Sequence, residues 1–320
     1  MADDGPARGP DGGVRGPSGR PREPRRWRGS TGVLAAVLTL VAVATVAVAT
    51  SPGEGDPGSD RASLGSREAA AAQAPVEIWA IGDGADGGES GRRIGAMIAA
   101  ARPARMLYLG DVYEQGTRSE FADNYAPAYG ALARRTLPTP GNHDWPRHAE
   151  GYNPYWKRVT GRPMPSVHAN RIGGWDILSL NSEAFNAYPE QVRWLERQVS
   201  PGGTCRLAFW HRPRFSAGSH GDEPAVAPFW RTLRGRAALV LNGHEHNMQE
   251  MKVRDGIREL ISGAGGHSHY KAAKDPRLAW SNTIDNGALR LRLRPGRADY
   301  AFVTLGGRVL RSGTATCRPA

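Results

Sequence analysis

Five short apolar runs, each closed by a polar group, set the pattern of this chain. Residues 76–81, 106–109, 136–140, 207–210 and 238–241 read as buried strands. The polar groups that follow them are Asp83, Gly110-Asp111-Val112-Tyr113, Gly141-Asn142-His143-Asp144, His211 and Gly243-His244-Glu245-His246. In open α/β sheets ligands bind outside the carboxyl ends of strands. Clusters far apart in sequence are therefore expected to converge on one rim of one sheet.

Between the runs lie helical stretches at 91–101, 118–135, 190–199 and 225–234, so βαβ units and a largely parallel core are expected. Shorter, β-branched or alternating segments occupy 175–180, 257–262, 287–293, 300–305 and 308–316, with Pro-Gly and Gly-Gly turns. They predict a second sheet packed on the first. Residues 145–164 and 222–227 read as loops that would shape specificity.

The first part of the chain has a different character. Residues 1–30 are rich in Gly, Pro and Arg and cannot repay the entropy of folding, which predicts a disordered basic tail. Residues 31–50 contain an uncharged stretch, 32–49, whose helix would be about 27 Å long and so just crosses a bilayer. It reads as a transmembrane anchor or a signal helix, since Ala47-Val48-Ala49 also fits a cleavage site. Arg20, Arg22, Arg25, Arg26 and Arg28 precede it, which places everything after residue 50 outside the cytoplasm, on the cell membrane or secreted. Residues 51–74 read as a linker, and 75–320 as one folded domain.

The net charge of +11 divides as +3 in residues 1–30, with seven Arg against four acids, −2 in 31–74, with two against four, and +10 in the remainder. A basic domain suits an anionic substrate. No aromatic-interleaved basic stripe accompanies the charge, so no nucleic-acid partner is expected. Cys205 and Cys317, the two cysteines, lack metal-site spacing, which argues against a thiolate centre. In an oxidising compartment they can pair.

Each cluster alone reads as a turn signal. Flanking glycines let Asp83 swing a carboxylate over a sheet edge, Asp111 has the same setting, and a carboxylate with two oxygens can bridge two cations. The amide oxygen of Asn142 can bind a metal while the neighbouring His143 imidazole faces a substrate. His244 and His246 are two apart and so face one side of an extended chain. Five strand-terminal clusters in this order seldom arise from turn preferences. Together they can hold two metal ions.

These residues resemble the calcineurin-like metallophosphoesterases, and more closely the purple acid phosphatase-like branch. The resemblance runs from about Val76 to Cys317 and is carried mainly by the five clusters. It implies an α/β fold, a four-layer α-β-β-α sandwich of the metallophosphoesterase type. It also implies a binuclear centre: Asp83, Asp111, Tyr113 and His246 on one metal, Asp111, Asn142, His211 and His244 on the other. Most of the wider superfamily has Asp-x-His in the first cluster, and here the matching position is Ala85. Tyr113 can supply the missing ligand, as a phenolate that favours Fe(III), although only Val112 separates it from Asp111 where the family has two residues. Fe(II), Zn(II) or Mn(II) suit the second site.

The resemblance implies hydrolysis of phosphate esters by metal-activated hydroxide, with His143 as phosphoryl ligand or proton donor and His220 as a second proton donor. Alternatives are a phosphodiesterase acting on nucleotides or lipid head groups, and a catalytically weakened cell-surface binding protein of the same fold. His148 and His168 read as surface or core polar residues, and His267 and His269 as part of a Gly-rich turn. Arg171 and Arg212 are candidates for steering a phosphate.

Overall fold

The computed structural model describes residues 74–200 and 202–319. The basic tail, the apolar segment 32–49 and all but the last residue of the linker lie outside the described residues. Among those described, no helix is long and apolar enough to cross a membrane.

The alternation in β1 (Val76–Ile81) turns Ile78 and Ala80 to one face and Trp79 and Ile81 to the other. Both faces are buried, as expected of a central strand. β1 pairs in parallel with β2 (Arg105–Tyr108), which pairs in parallel with β3 (Thr136–Pro138). A second group comprises β4 (His168–Ile172), β5 (Trp175–Ser179), β6 (Arg206–Phe209), β7 (Leu239–Asn242), β8 (Met248–Met251), β9 (Arg258–Ser262) and β10 (Leu278–Asn282). These form a seven-stranded sheet in the order β10-β8-β9-β7-β6-β5-β4, parallel from β5 through β6 and β7 to β9.

The remaining strands, β11 (Gly287–Arg294), β12 (Arg297–Thr304) and β13 (Val309–Thr316), return to the first sheet, whose order is β13-β12-β11-β1-β2-β3. This corrects two expectations. The polar clusters are delivered by two sheets, not one, because β6 and β7 belong with β5 and β9. The later segments likewise divide, since β11 adds antiparallel to β1 with Ile78 opposite Leu291, so both sheets are mixed.

Three apolar clusters separate the layers. Between the sheets lie Ile78, Leu107, Phe209, Leu241, Leu260, Leu291 and Phe302. The outer face of the first sheet packs Trp79, Met106 and Tyr108 against Ile94 and Ile98 of α1 (Glu89–Ala101) and Tyr155 and Trp156 of α2 (Tyr152–Thr160). The outer face of the second packs Leu178, Ala208 and Val240 against Leu195 of α3 (Tyr188–Val199) and Phe229 and Leu233 of α4 (Ala227–Leu233).

Two elements depart from the sequence reading for visible reasons. The stretch 118–135 is not one helix: it passes through a π turn, Phe121–Tyr125, and ends in a 3-10 turn, Gly130–Arg135. Pro127 has no N–H for the Asp123 carbonyl, and the N–H of Ala126 bonds instead to Phe121 O. Helix α2 interrupts the expected loop 145–164. Its Tyr152, Tyr155 and Trp156 have helical spacing and are buried, while Pro154 falls in the first turn, where proline is tolerated.

Cys205 and Cys317 form a disulfide across a sequence separation of 112 residues, tying the chain after β13 in one sheet to the start of β6 in the other. Thr204 N–H also donates to Arg318 O at 2.6 Å. Opening so long a loop costs roughly 2–4 kcal/mol. Cys317→Ser is therefore expected to lower the unfolding free energy by about that amount, read as a lower urea midpoint with a somewhat higher m-value, because the unfolded chain expands without the cross-link.

Candidate metal centre

Strands β1, β2 and β3 run parallel within one sheet and β6 and β7 within the other, and the loops that follow them meet. Hydrogen bonds stitch the two rims together: Gly82 N–H to Ser262 O at 2.9 Å, Ser262 Oγ to Ala80 O at 3.1 Å and Thr139 Oγ1 to Leu180 O at 2.6 Å. Three side chains singled out from the sequence sit on left-handed backbone, Asp83 at φ 59°, Asp111 at φ 69° and His244 at φ 70°. Such backbone is costly for non-glycine residues and persists where surroundings over-determine it. Here Asp83 N–H donates to Gly110 O at 3.1 Å, and His244 N–H donates to Asp83 Oδ2 at 2.9 Å. Gly110 itself is at φ 100°, and a Cβ there would lie 2.6 Å from His211 Nδ1.

The turns bring the donor atoms into two groups with one atom in common. In the first, the Tyr113 hydroxyl lies 3.1 Å from Asp83 Oδ1, 3.3 Å from Asp111 Oδ2 and 2.9 Å from His246 Nε2. In the second, His211 Nε2 lies 3.3 Å from the same Asp111 Oδ2, 3.0 Å from Asn142 Oδ1 and 3.2 Å from His244 Nδ1. The ring orientations are set from behind: His211 Nδ1 meets Leu109 O at 2.7 Å and His246 Nδ1 meets Ser268 O at 2.8 Å. Carbonyl acceptors at those nitrogens turn both Nε2 atoms inward, bare in neutral His246 and protonated in the metal-free His211 imidazolium. The short Asp111–Tyr113 spacing does not keep the phenol away. Tyr113 N–H bonds to Ala85 O at 3.0 Å, so the residue matching the family histidine serves the site through its backbone.

Atoms of Asp83, Asp111 and His211 lie within 4.8 Å of one another, and all three residues are buried. Burial pushes the Asp83 carboxyl well above the usual carboxylate range, His211 pulls it down and the Asp111 charge raises it again. Burial also disfavours the Asp111 anion, but the His211 charge outweighs it and holds that group below its ordinary value. His211 rises to about 10: burial alone would lower it, and Asp111 prevails. Burial keeps His246 neutral down to about 3 and lowers His244 as well, the latter helped by His211. Burial and then the Asp83 charge raise Tyr113, so the metal-free phenol keeps its proton. Carboxylates, an amide oxygen, bare imidazoles and a phenol thus crowd one buried space with a single imidazolium as compensation. That donor set fits hard or borderline cations.

The other predicted residues flank these groups. His143 N–H donates to Asp111 Oδ1 at 3.0 Å, its Nδ1 meets Glu114 O at 2.6 Å, and its ring lies 4.6 Å from that of Tyr113. The His220 ring lies 4.2 Å from that of His244 and 5.0 Å from Tyr270. His267 stacks on Tyr113 at 4.2 Å, so the Gly-rich segment borders the site. The candidate arginines do not reach it freely: Arg212 Nε bonds Glu183 at 2.9 and 3.1 Å, and Arg171 pairs with Asp176 at 2.6 Å. His168 Nε2 meets Pro138 O at 3.1 Å away from the centre, and His148 stacks on Trp145 at 4.0 Å.

Sequence reasoning gave Asp144 no role, yet it holds the loops. Its carboxylate accepts from the N–H groups of Asp111 and Gly141, each at 2.8 Å, and of Val112 at 3.0 Å. Its signal was the position directly after His143. Asp144→Ala strands those three N–H groups at about 1–3 kcal/mol each where they stay buried. We expect a fall of about 3 kcal/mol or more in stability, with lower metal occupancy measured by plasma mass spectrometry.

Comparison with known proteins follows the same residues. The family model for calcineurin-like phosphoesterases matches residues 78–248. Tartrate-resistant acid phosphatase type 5 of Rattus norvegicus is 25% identical over 123 residues, 37% of this chain and 36% of that protein. The Homo sapiens protein is 28% identical over 103 residues, 31% of this chain and 30% of that one. The chain thus aligns with about a third of the length of these curated relatives. Among solved structures, a purple acid phosphatase from yellow lupin superposes with a TM-score of 0.60 at 14% identity, over 76% of this chain and 54% of that one. GAP50, described as the anchor in the inner membrane complex of Plasmodium, gives 0.62 at 15% identity, over 76% and 89%. At such identities the likeness is one of fold.

Proposed function

Because the chain belongs to the calcineurin-like phosphoesterase family, we propose that it is a binuclear, metal-dependent phosphate-ester hydrolase of the purple acid phosphatase kind. The observation that carries this reading is the double use of Asp111 Oδ2, 3.3 Å from both Tyr113 and His211. Asp83, Asp111, Tyr113 and His246 would hold one cation, with Fe(III) favoured by the phenol. Asp111, Asn142, His211 and His244 would hold the other, as Fe(II), Zn(II) or Mn(II). Two such cations, when bound, neutralise phosphoryl oxygens and lower the pKa of bound water.

The chain's own groups do the rest. Carbonyl contacts at Leu109 and Ser268 orient His211 and His246, so metal binding requires no ring rotation there. The Glu114 carbonyl fixes His143 Nδ1, leaving Nε2 to hydrogen-bond a phosphoryl or leaving-group oxygen. His220 stands over His244 as a second donor to that oxygen.

The work is placed outside the cytoplasm by this reading, anchored through residues 32–49 or released after cleavage. The Cys205–Cys317 disulfide supports an oxidising compartment. The alternative of a fold-retaining surface binding protein draws on the likeness to GAP50, an anchor by description. The seven donor side chains standing in two sets favour the enzyme.

The purified protein is expected to contain two metal equivalents and to hydrolyse p-nitrophenyl phosphate. Asn142→Ala and His244→Ala are expected to cut kcat at least about 100-fold with folding intact by circular dichroism. Iron-loaded protein is expected to show a visible tyrosinate-to-iron band that Tyr113→Phe abolishes. An intact two-metal protein without hydrolysis of any phosphate ester would favour the binding reading.

A further inference from the structure

Glu245 sits between His244 and His246 and is fully buried, yet its side chain turns away from the donor atoms. One carboxylate oxygen, Oε1, accepts three hydrogen bonds at 3.0 Å, from Ser216 Oγ, His220 N–H and Gly221 N–H. The segment that carries His220 has no regular structure, so such side-chain acceptors replace a backbone ladder. Gln249 takes Ala217 N–H at 2.9 Å, and Glu259 takes Arg214 and Phe215 N–H at 2.7 and 3.0 Å. Gly218 lies flush on the carboxylate, where any Cβ would strike Glu245.

The other oxygen, Oε2, is buried without a hydrogen-bond partner among the described groups. An unmade bond at a buried carboxylate is costly and calls for an explanation. The polar atom that faces it is His220 Nδ1, at 3.6 Å. A small rotation of the half-exposed ring closes that gap. The His220 ring is meanwhile confined by His244 at 4.2 Å and Tyr270 at 5.0 Å, so Nδ1 toward Glu245 leaves Nε2 toward the cleft.

We propose that Glu245 is a positioning residue that acts through His220. It fixes the loop by Oε1 and the imidazole by Oε2, presenting Nε2 to the leaving-group oxygen of a phosphate ester. This deepens the phosphoesterase reading and rests on it. In the step concerned, water gives up one proton to solvent and its oxygen forms the new bond to phosphorus. The bond to the leaving oxygen breaks, and its electron pair takes the Nε2 proton, leaving neutral His220 with its proton on Nδ1. Esters with basic leaving groups need that proton, whereas those with acidic ones do not.

The test compares phenyl phosphate with 2,4-dinitrophenyl phosphate in the full metal-loaded chain, at metal contents shown to be equal. Glu245→Gln and His220→Asn are each expected to lower kcat on phenyl phosphate roughly 10- to 100-fold at unchanged KM. The dinitrophenyl ester is expected to change by less than about threefold. The double variant should be no slower than the worse single variant. Equal losses on both esters, or additive losses in the double variant, would overturn the proposal.

A loop that merely needed Glu245 to fold would show no such leaving-group dependence. If Glu245→Gln does not fold, His220→Asn and the wild-type protein still decide the matter. Nitrogen-15 correlation spectra of the zinc-loaded protein should show neutral His220 protonated at Nδ1 and bare at Nε2. The opposite tautomer rejects the pairing. A wild-type protein inactive on every ester would instead defeat the phosphoesterase reading, and the tautomer would test the pairing by itself.

Discussion

One carboxylate oxygen, Asp111 Oδ2, stands within 3.3 Å of both Tyr113 and His211, and the architecture around it serves that convergence. Tyr113 comes from the loop after a strand of one sheet, and His211 from the loop after a strand of the other. For a single oxygen to reach both, the sheets must pack with their strand ends in register. The inter-sheet apolar core does this through Ile78, Leu107, Phe209 and Leu241. Burial of that surface supplies the driving force, and the rim hydrogen bonds set the alignment.

The left-handed turns at Asp83, Asp111 and His244 are the local cost of this arrangement. Each is compensated by polar contacts that would be pointless in an ordinary turn. Asp144 clamps the Asp111 turn, Asp83 itself accepts from the His244 backbone, and Glu245 fastens the neighbouring loop. Glu183 and Glu250 are buried against arginines, and the other five buried acids fall into two classes. Asp83 and Asp111 crowd each other beside His211, whereas Asp144, Glu245 and Glu259 are occupied by backbone N–H groups. The first class forms the candidate cation site, and the second fastens the loops around it.

Much of this could be read in the chain beforehand, for a physical reason. Strand-terminal Asp83, Asp111, His211 and His244 follow apolar runs, and Asn142 follows a Thr- and Pro-containing one, so burial on both faces leaves few other readings of the first four. What escaped was partnership. Nothing local shows that β11 joins β1, because a strand's pairing is decided by long-range packing. β8 was invisible because Gln249 and Glu250 are polar, and their burial depends on partners such as Ser216 and Tyr300 from elsewhere in the chain. Arg171 and Arg212 looked free for the same reason: Asp176 and Glu183 neutralise them only in three dimensions.

The central claim is that Asp111 is shared between two cations. Anomalous diffraction from crystals grown with iron and zinc tests it directly. Two peaks about 3.5–4 Å apart with Asp111 Oδ2 between them is the expected result. A single peak, or two peaks of which neither lies within bonding reach of Asp111, would contradict it.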